Sequence, residues 1–372
     1  MTTDLDIDKL LADRDKRVIV CCGSGGVGKT TTAASLALRA AEVHNRHAVV
    51  LTIDPARRLA QSLGMEALEN SPHPVAGLQA GHLDAMMLDM KRTFDEMVEA
   101  HSTPERAEEI FANPFYQAMS STFSGTQEYM AMEKLAQLRN AEEWDLIVVD
   151  TPPSRSALDF LDAPARLTRF LDGRMARLLT APGNSRPSLL SFMGSTAHIF
   201  TRAFHKILGG HLLTDVAQFA KSLESTLGGF RERADSTYRT LQDEQTSFLV
   251  IAAPEAAAMR EAMYFTRRLT EEQMPLEGLL LNRTTQPAAA NLSAVRSAGG
   301  AARLEDIEGD AAVAAVLRMH ADQMQSARAE KRLAARFTAA CPQVSQLWMP
   351  TLTQDVYDIE ALREFGTVAA GH

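Results

Sequence analysis

Cysteine is scarce in this chain: Cys21, Cys22 and Cys341 are the only three among 372 residues. No two are spaced as a CxxC pair, which excludes a zinc-clasp site and a disulfide framework. Cys21 and Cys22 close an apolar run and read as small buried hydrophobes of a reducing compartment. Also missing is any uninterrupted apolar run approaching the ~18 residues of a membrane span. The most apolar long window, residues 189–213, is broken by His198, Arg202, His205 and Lys206. The first ten residues are acidic, the reverse of a secretory leader. There is no basic excess either: the net charge is −9, which argues against general affinity for nucleic acid or anionic lipid. The acidic stretch 355–364 argues against a basic membrane-targeting helix. No internal repeat is visible, so a tandem architecture is excluded. The expectation is a cytoplasmic protein with no integral membrane segment and no nucleic-acid partner.

What is present is an alternation of strand and helix patterns. Short apolar runs at 17–22, 47–53, 145–150, 247–252 and 277–282 read as buried parallel strands. Helical patterns follow at 29–42, 56–63 and 256–270, which implies a parallel sheet with helices on both faces. Right-handed crossovers then bring the loops after the strands to one edge, where ligands bind. Residues 86–140 and 163–245 break this rhythm and read as helices inserted between core strands. The expected division is a core of 1–85, 141–162 and 246–372, with 86–140 and 163–245 forming a helical subdomain. That subdomain is rich in Met and Phe, including Met86, Met87, Met90, Phe94, Met97, Phe115, Met119, Phe123, Met130 and Met132. Such side chains suit either the subdomain's own core or a groove for varied apolar partners. Residues 183–187 read as an exposed loop.

Residues 23–30, Gly-Ser-Gly-Gly-Val-Gly-Lys-Thr, satisfy GxxxxGK[ST] after an apolar strand and before an amphipathic helix. Glycines at 23, 25, 26 and 28 let backbone N–H groups, including those of Ser24, Val27 and Thr31, converge on phosphate oxygens at a helix N-terminus. Lys29 is placed for the β- and γ-phosphates and Thr30 for Mg²⁺. Asp54 ends the next strand before Pro55, a position from which a carboxylate orients or deprotonates water, binds metal, or caps the following helix. Asp150 ends the run Leu-Ile-Val-Val-Asp, where a P-loop enzyme keeps its second magnesium-shell carboxylate. The fold class follows: α/β, a mostly parallel P-loop NTPase sheet with helices on both faces and an inserted α-helical subdomain.

Gly-Gly-Val-Gly-Lys-Thr-Thr at 25–31, Asp-Pro-Ala at 54–56 and Asp-Thr-x-Pro at 150–153 resemble the ArsA/Get3 family of deviant-Walker-A ATPases. The likeness continues in Pro254-Glu255, in Leu-Leu-Leu-Asn at 279–282, in Met349-Pro350-Thr351-Leu352, and in Asp355-Val356 with Glu360-Ala361-Leu362. The resemblance implies ATP with Mg²⁺, hydrolysis, and a dimer whose subunits meet across the nucleotide sites, either a homodimer or a heterodimer with a paralogue. By motif position, Asp54 is similar to the aspartate that polarises the attacking water. Asp150 is similar to the one holding a magnesium-bound water, with 151–154 beginning the second switch. Asn282 resembles the adenine-contacting asparagine and Pro350 the start of the loop beside the base.

Ser24 stands where the family's signature lysine reaches the opposite subunit's phosphates. A replacement cation has three sources within the chain, Arg57, Arg58 and Arg155, and a fourth in a paralogous partner. A scaffold with negligible turnover is the alternative. The absent CxxC removes the zinc-clasped dimer of the eukaryotic targeting factors. The absence of cysteine from the helical regions disfavours an arsenite-type efflux ATPase. The leading expectation is an ATP-driven switch for a hydrophobic protein client, and the acidic balance disfavours a DNA- or membrane-positioning ATPase.

Overall fold

A computed structural model describes residues 4–54, 58–113, 116–117, 126–152, 230–305 and 310–371. Pro55, Arg57, Phe115, Met119, Phe123, Arg155, the loop 183–187 and the window 189–213 lie outside them. The chain divides into two compact units: Met1–Met87, Leu138–Leu158 and Thr240–His372 in one, Leu88–Gln137 and Asp159–Arg239 in the other.

The first unit is built on an eight-stranded sheet. Its strands are β1 (Val18–Gly23), β2 (His47–Thr52), β3 (His73–Pro74), β4 (His82–Met87), β5 (Leu146–Asp150), β6 (Thr246–Ala252), β7 (Leu276–Thr284) and β8 (Ser345–Pro350). They lie in the order β3-β4-β2-β5-β1-β6-β7-β8. All pairs are parallel except β3 with β4. Every residue of β1, β5 and β6 is buried, as expected of strands covered on both faces. The chain leaves β1 toward β2 and β4, returns through β5, and then crosses to β6 on β1's other side. That reversal puts the loop after β1 at the crevice where an open α/β sheet binds its ligand.

All five expected strands form, within a residue or two at their ends. His82–Met87 is a strand that the sequence reading did not foresee, so Met86 and Met87 belong to the sheet and not to the helical insertion. Met86 is fully buried opposite Leu51. The short His73–Pro74 and Ser345–Pro350 are two more, the latter an outer strand on which Pro350 is tolerated because the ladder ends there.

Around the sheet run α1 (Ile7–Ala12), α2 (Lys29–Glu42) and α3 (Arg58–Ser62). The second unit's α4 (Met90–His101) and α5 (Pro104–Ala112) follow in the chain, then α6 (Thr126–Ala141) and α7 (Phe230–Gln242), which run across the division. The first unit resumes with α8 (Ala256–Glu271), α9 (Ala294–Leu304), α10 (Ala311–Ala340) and α11 (Ile359–Ala369). Helix α11 packs on α2, where Arg363 binds Glu42 at 2.7 Å and Ser35 Oγ donates to the Leu362 carbonyl at 2.5 Å. This docking anchors the far end of the segment 351–358.

In the second unit Phe94 and Phe111 pack against Tyr116, whose hydroxyl donates to Asp95. Phe94, Met97, Met130 and Met132 are buried. These described members of the Met/Phe series therefore serve as core, and none of the exposed large hydrophobics among the described residues belongs to this unit.

Helix α1 is fastened to α2 by Asp8, which accepts from Arg39 Nε and Nη2, each at 2.7 Å, and bonds His44 Nε2 at 2.9 Å. The Arg39 guanidinium, with His44, holds the Asp8 carboxyl down at about 2, against a smaller opposing effect of burial. A depressed carboxyl stabilises the fold above its unfolded pKa of about 3.9 and loses that contribution as pH falls toward 2. Asp8→Asn should lower Tm by about 2 °C at pH 7, since the pair is partly exposed. The gap should narrow below pH 4; a gap constant from pH 7 to 2 would refute the linkage.

Candidate functional site

At Gly23 and Gly28, the two ends of the glycine-rich turn after β1, the fold leaves no room for a side chain. Gly23 has φ +153°, and a Cβ there would lie 2.0 Å from the Ile251 carbonyl oxygen on β6. Gly28 is the N-cap of α2 with φ +97°, and it supplies no side-chain cap. The first N–H groups of a 14-residue helix are thus left for an anion.

Lys29 is buried, and its Nζ donates to the Ser24 carbonyl at 2.9 Å. Burial pushes its amine below the usual lysine value, against the pull of Asp150 and Asp54. Thr30 Oγ1 donates to Asp150 Oδ2 at 2.8 Å, and Thr52 Oγ1 donates to the same oxygen at 2.9 Å. Asp150 is fully buried, and its Oδ1 has no hydrogen-bond partner among the described residues. Burial raises its carboxyl to about 6, although both hydroxyls and Lys29 oppose the rise. A buried carboxylate oxygen without a donor is unfavourable on its own, and it fits an acceptor for a metal-bound water. With its proton committed to Asp150, Thr30 Oγ1 keeps lone pairs for a cation. The donor set is all oxygen, as Mg²⁺ requires.

Thr52 was not foreseen. Its hydroxyl accepts from the Asp54 backbone N at 3.2 Å while donating to Asp150, so one side chain connects the two acidic strand ends. Only its place two residues before Asp54 hinted at this. Ser24 is buried, and its hydroxyl has no hydrogen-bond partner among the described residues. Cys21 and Cys22 are buried thiols, that of Cys22 pushed up to about 12 by burial, so neither is a nucleophile.

A cavity of about 780 Å³ opens over this turn. Of the expected residues, Gly25, Gly26, Gly28, Lys29, Thr30 and Thr31 line it, as do Asp54, Asn282 and Pro350. Gly23, Ser24, Val27 and Asp150 do not, though the last three accept hydrogen bonds from the lining residues Lys29, Asn282 and Thr30. Arg58 reaches the cavity, together with Gln61, Arg283 and Tyr357, which the motifs did not single out. Arg283 has φ +60° at an irregularity between β7 and β8, and Tyr357 is 65% exposed. Among the described residues no cluster of three or more His, Cys, Asp or Glu is able to hold a metal ion. No helix there is long and apolar enough to cross a membrane.

Comparison with known proteins identifies the family. Residues 16–310 match the family described as anion-transporting ATPase. The protein named ATPase GET3 of Malassezia globosa is 26% identical over 286 residues, covering 76% of each chain. That of Mycosarcoma maydis is 24% identical over 282 residues, again 76% of each. That of Podospora anserina is 23% identical over 283 residues, 76% of this chain and 77% of the relative. With the phosphate loop, Asp54, Asp150 and strands β1 to β7 inside the matched span, the chain belongs to the ArsA/Get3 family of anion-transporting-type ATPases.

Proposed function

We propose that this protein binds ATP with Mg²⁺ in the cavity over residues 23–31, hydrolyses it, and uses the nucleotide state to drive a dimeric switch acting on a hydrophobic protein client. The observation that carries the nucleotide part is the unpartnered Asp150 Oδ1 beneath Thr30. Thr30, and Asp150 through water, are the residues to hold Mg²⁺, which supplies charge neutralisation at the phosphate oxygens. Lys29 exchanges the Ser24 carbonyl for phosphate oxygens, trading one neutral acceptor for anions. Asp54 orients the attacking water and accepts its proton. Thr52 carries the consequences between Asp54 and Asp150. Asn282 and Pro350 lie at the base end of the cavity, with the segment 351–357.

For the dimer and the client, the support is family membership together with the phenylalanines of residues 163–229, Phe170, Phe192, Phe200, Phe204 and Phe219. An efflux role for arsenite draws no support from the cysteines, two of which lie in β1 and the third after α10. The test is phosphate release with and without Mg²⁺, joined to light scattering in ATP and in ADP. The expected result is Mg²⁺-dependent release and a larger mass in ATP. Release no greater than that of Asp54→Asn would sink the hydrolytic reading. A mass unchanged by ATP, alone or with a paralogue, would sink the switch.

A further inference from the structure

Asn282 lies near the end of β7, yet it is bonded to the phosphate loop 255 residues earlier. Its Nδ2 donates to the Val27 carbonyl at 2.8 Å, and its Oδ1 accepts from the Arg283 backbone N at 2.9 Å. The second bond fixes which end of the amide faces the loop, so the first is a true donor–acceptor pair. The side chain is 5% exposed. It fills the space that a Cβ on Gly28 would need, since that Cβ would lie 2.3 Å from Nδ2. Gly28 therefore serves two ends: it permits φ +97° at the start of α2, and it admits Asn282.

The platform behind Asn282 is built for this. The pairing of β7 with β8 shifts register between Leu281 and Thr284, and Arg283 takes up the irregularity with φ +60°. Beyond it, Thr284 Oγ1 donates to the Met349 carbonyl and Thr351 N donates to the Thr284 carbonyl, both at 3.0 Å. The strand is thus pinned to β8 immediately after the residue that reaches the loop.

We propose that Asn282 is a positioning residue for the phosphate loop, holding the Val27–Gly28 peptide so that the amides ahead of Lys29 converge on phosphate, independently of any contact with the base. A segment with glycines at 25, 26 and 28 has much conformational freedom to lose on binding phosphate. One buried amide bond on Val27 removes part of it beforehand. The inference rests on the nucleotide reading of the cavity and goes beyond the base-contacting role that the family resemblance implies.

The distinguishing probe is Mg²⁺–tripolyphosphate, which has phosphates and no base. Asn282→Ala should weaken tripolyphosphate and ATP alike, each by about 5–10-fold, the worth of one buried hydrogen bond. A second readout is the cycle with Gly28→Ala. In the Asn282→Ala background Gly28→Ala should cost at least fivefold less affinity, because the added Cβ no longer meets Nδ2, while the φ strain is common to both arms and cancels. If Asn282→Ala does not fold, Asn282→Ser, too short to reach Val27, takes its place in both measurements. Weakened ATP with unchanged tripolyphosphate would overturn the proposal and leave a base contact only. Additive effects in the cycle would overturn it as well. A wild-type protein that binds tripolyphosphate but not ATP would strike at the nucleotide reading while leaving the clamp standing; one that binds neither would remove both.

Discussion

Asp54→Asn will lower phosphate release by about 10²–10⁴-fold while leaving ATP affinity within about threefold of wild type. The amide keeps the size and the backbone position of the carboxylate, so the Asp54 N–H to Thr52 Oγ1 bond at 3.2 Å persists. What goes is the ability to take a proton from water. The carboxylate is also one of two anions beside the buried Lys29, the other being Asp150, so removing it does not leave the ammonium without a counter-charge. Single-turnover phosphate release together with titration of a fluorescent ATP analogue separates the two effects. A rate within threefold of wild type would take Asp54 out of the chemistry. A matching fall in affinity would assign it to binding instead. The same assay on Arg58→Ala addresses the cation that Ser24 does not provide, because Arg58 is the member of the trio Arg57, Arg58 and Arg155 that the structure describes, and it lines the cavity.

The phosphate-binding turn was legible in the sequence because its chemistry is local. Glycines, a lysine and a threonine at fixed offsets need only a strand before them and a helix after them. Asp150 was legible for a related reason: five consecutive buried residues ending in a carboxylate leave that group at the ligand edge. The outer strand Ser345–Pro350 was not, since an edge position mixes half-buried Ser345, Leu347 and Trp348 with buried Gln346 and Met349. Nor was α10, whose 30 residues are alanine-rich and exposed over most of their surface, so that no apolar stripe marks it. His82–Met87 was passed over because Asp84 interrupts it. That carboxylate is accommodated by Trp144 Nε1 at 2.7 Å and His47 Nε2 at 3.2 Å, partners that no window around residue 84 contains. The bond from Asn282 to Val27 belongs to the same class. Residue type identified the position, and only the fold supplied the partner.

Lys29→Met should have effects of opposite sign on stability and on binding. The ammonium is buried, and among the described residues its hydrogen-bond acceptor is the Ser24 carbonyl. Burial outweighs the attraction of Asp150 and Asp54, so the amine lies below its usual value. A lysine whose folded pKa is depressed makes the fold less stable at every pH where the unfolded chain would keep the proton, which includes pH 7. Methionine matches the lysine stem as far as Cε without the charge, so it removes a burial cost that outweighs the lost attraction to Asp150 and Asp54. The Tm of ligand-free Lys29→Met should therefore equal or exceed that of wild type. Binding runs the other way. Phosphate oxygens would give the ammonium the acceptors that the fold withholds, and losing those charge-assisted bonds should weaken ATP about 10²–10³-fold. Calorimetric unfolding with and without Mg²⁺–ATP reads both effects in one experiment. The variant should start at or above the wild-type Tm and gain little from ligand, whereas wild type gains markedly. A ligand-free variant well below wild type would mean that Lys29 is a structural tie, and an undiminished gain with ATP would mean that the phosphates lie elsewhere.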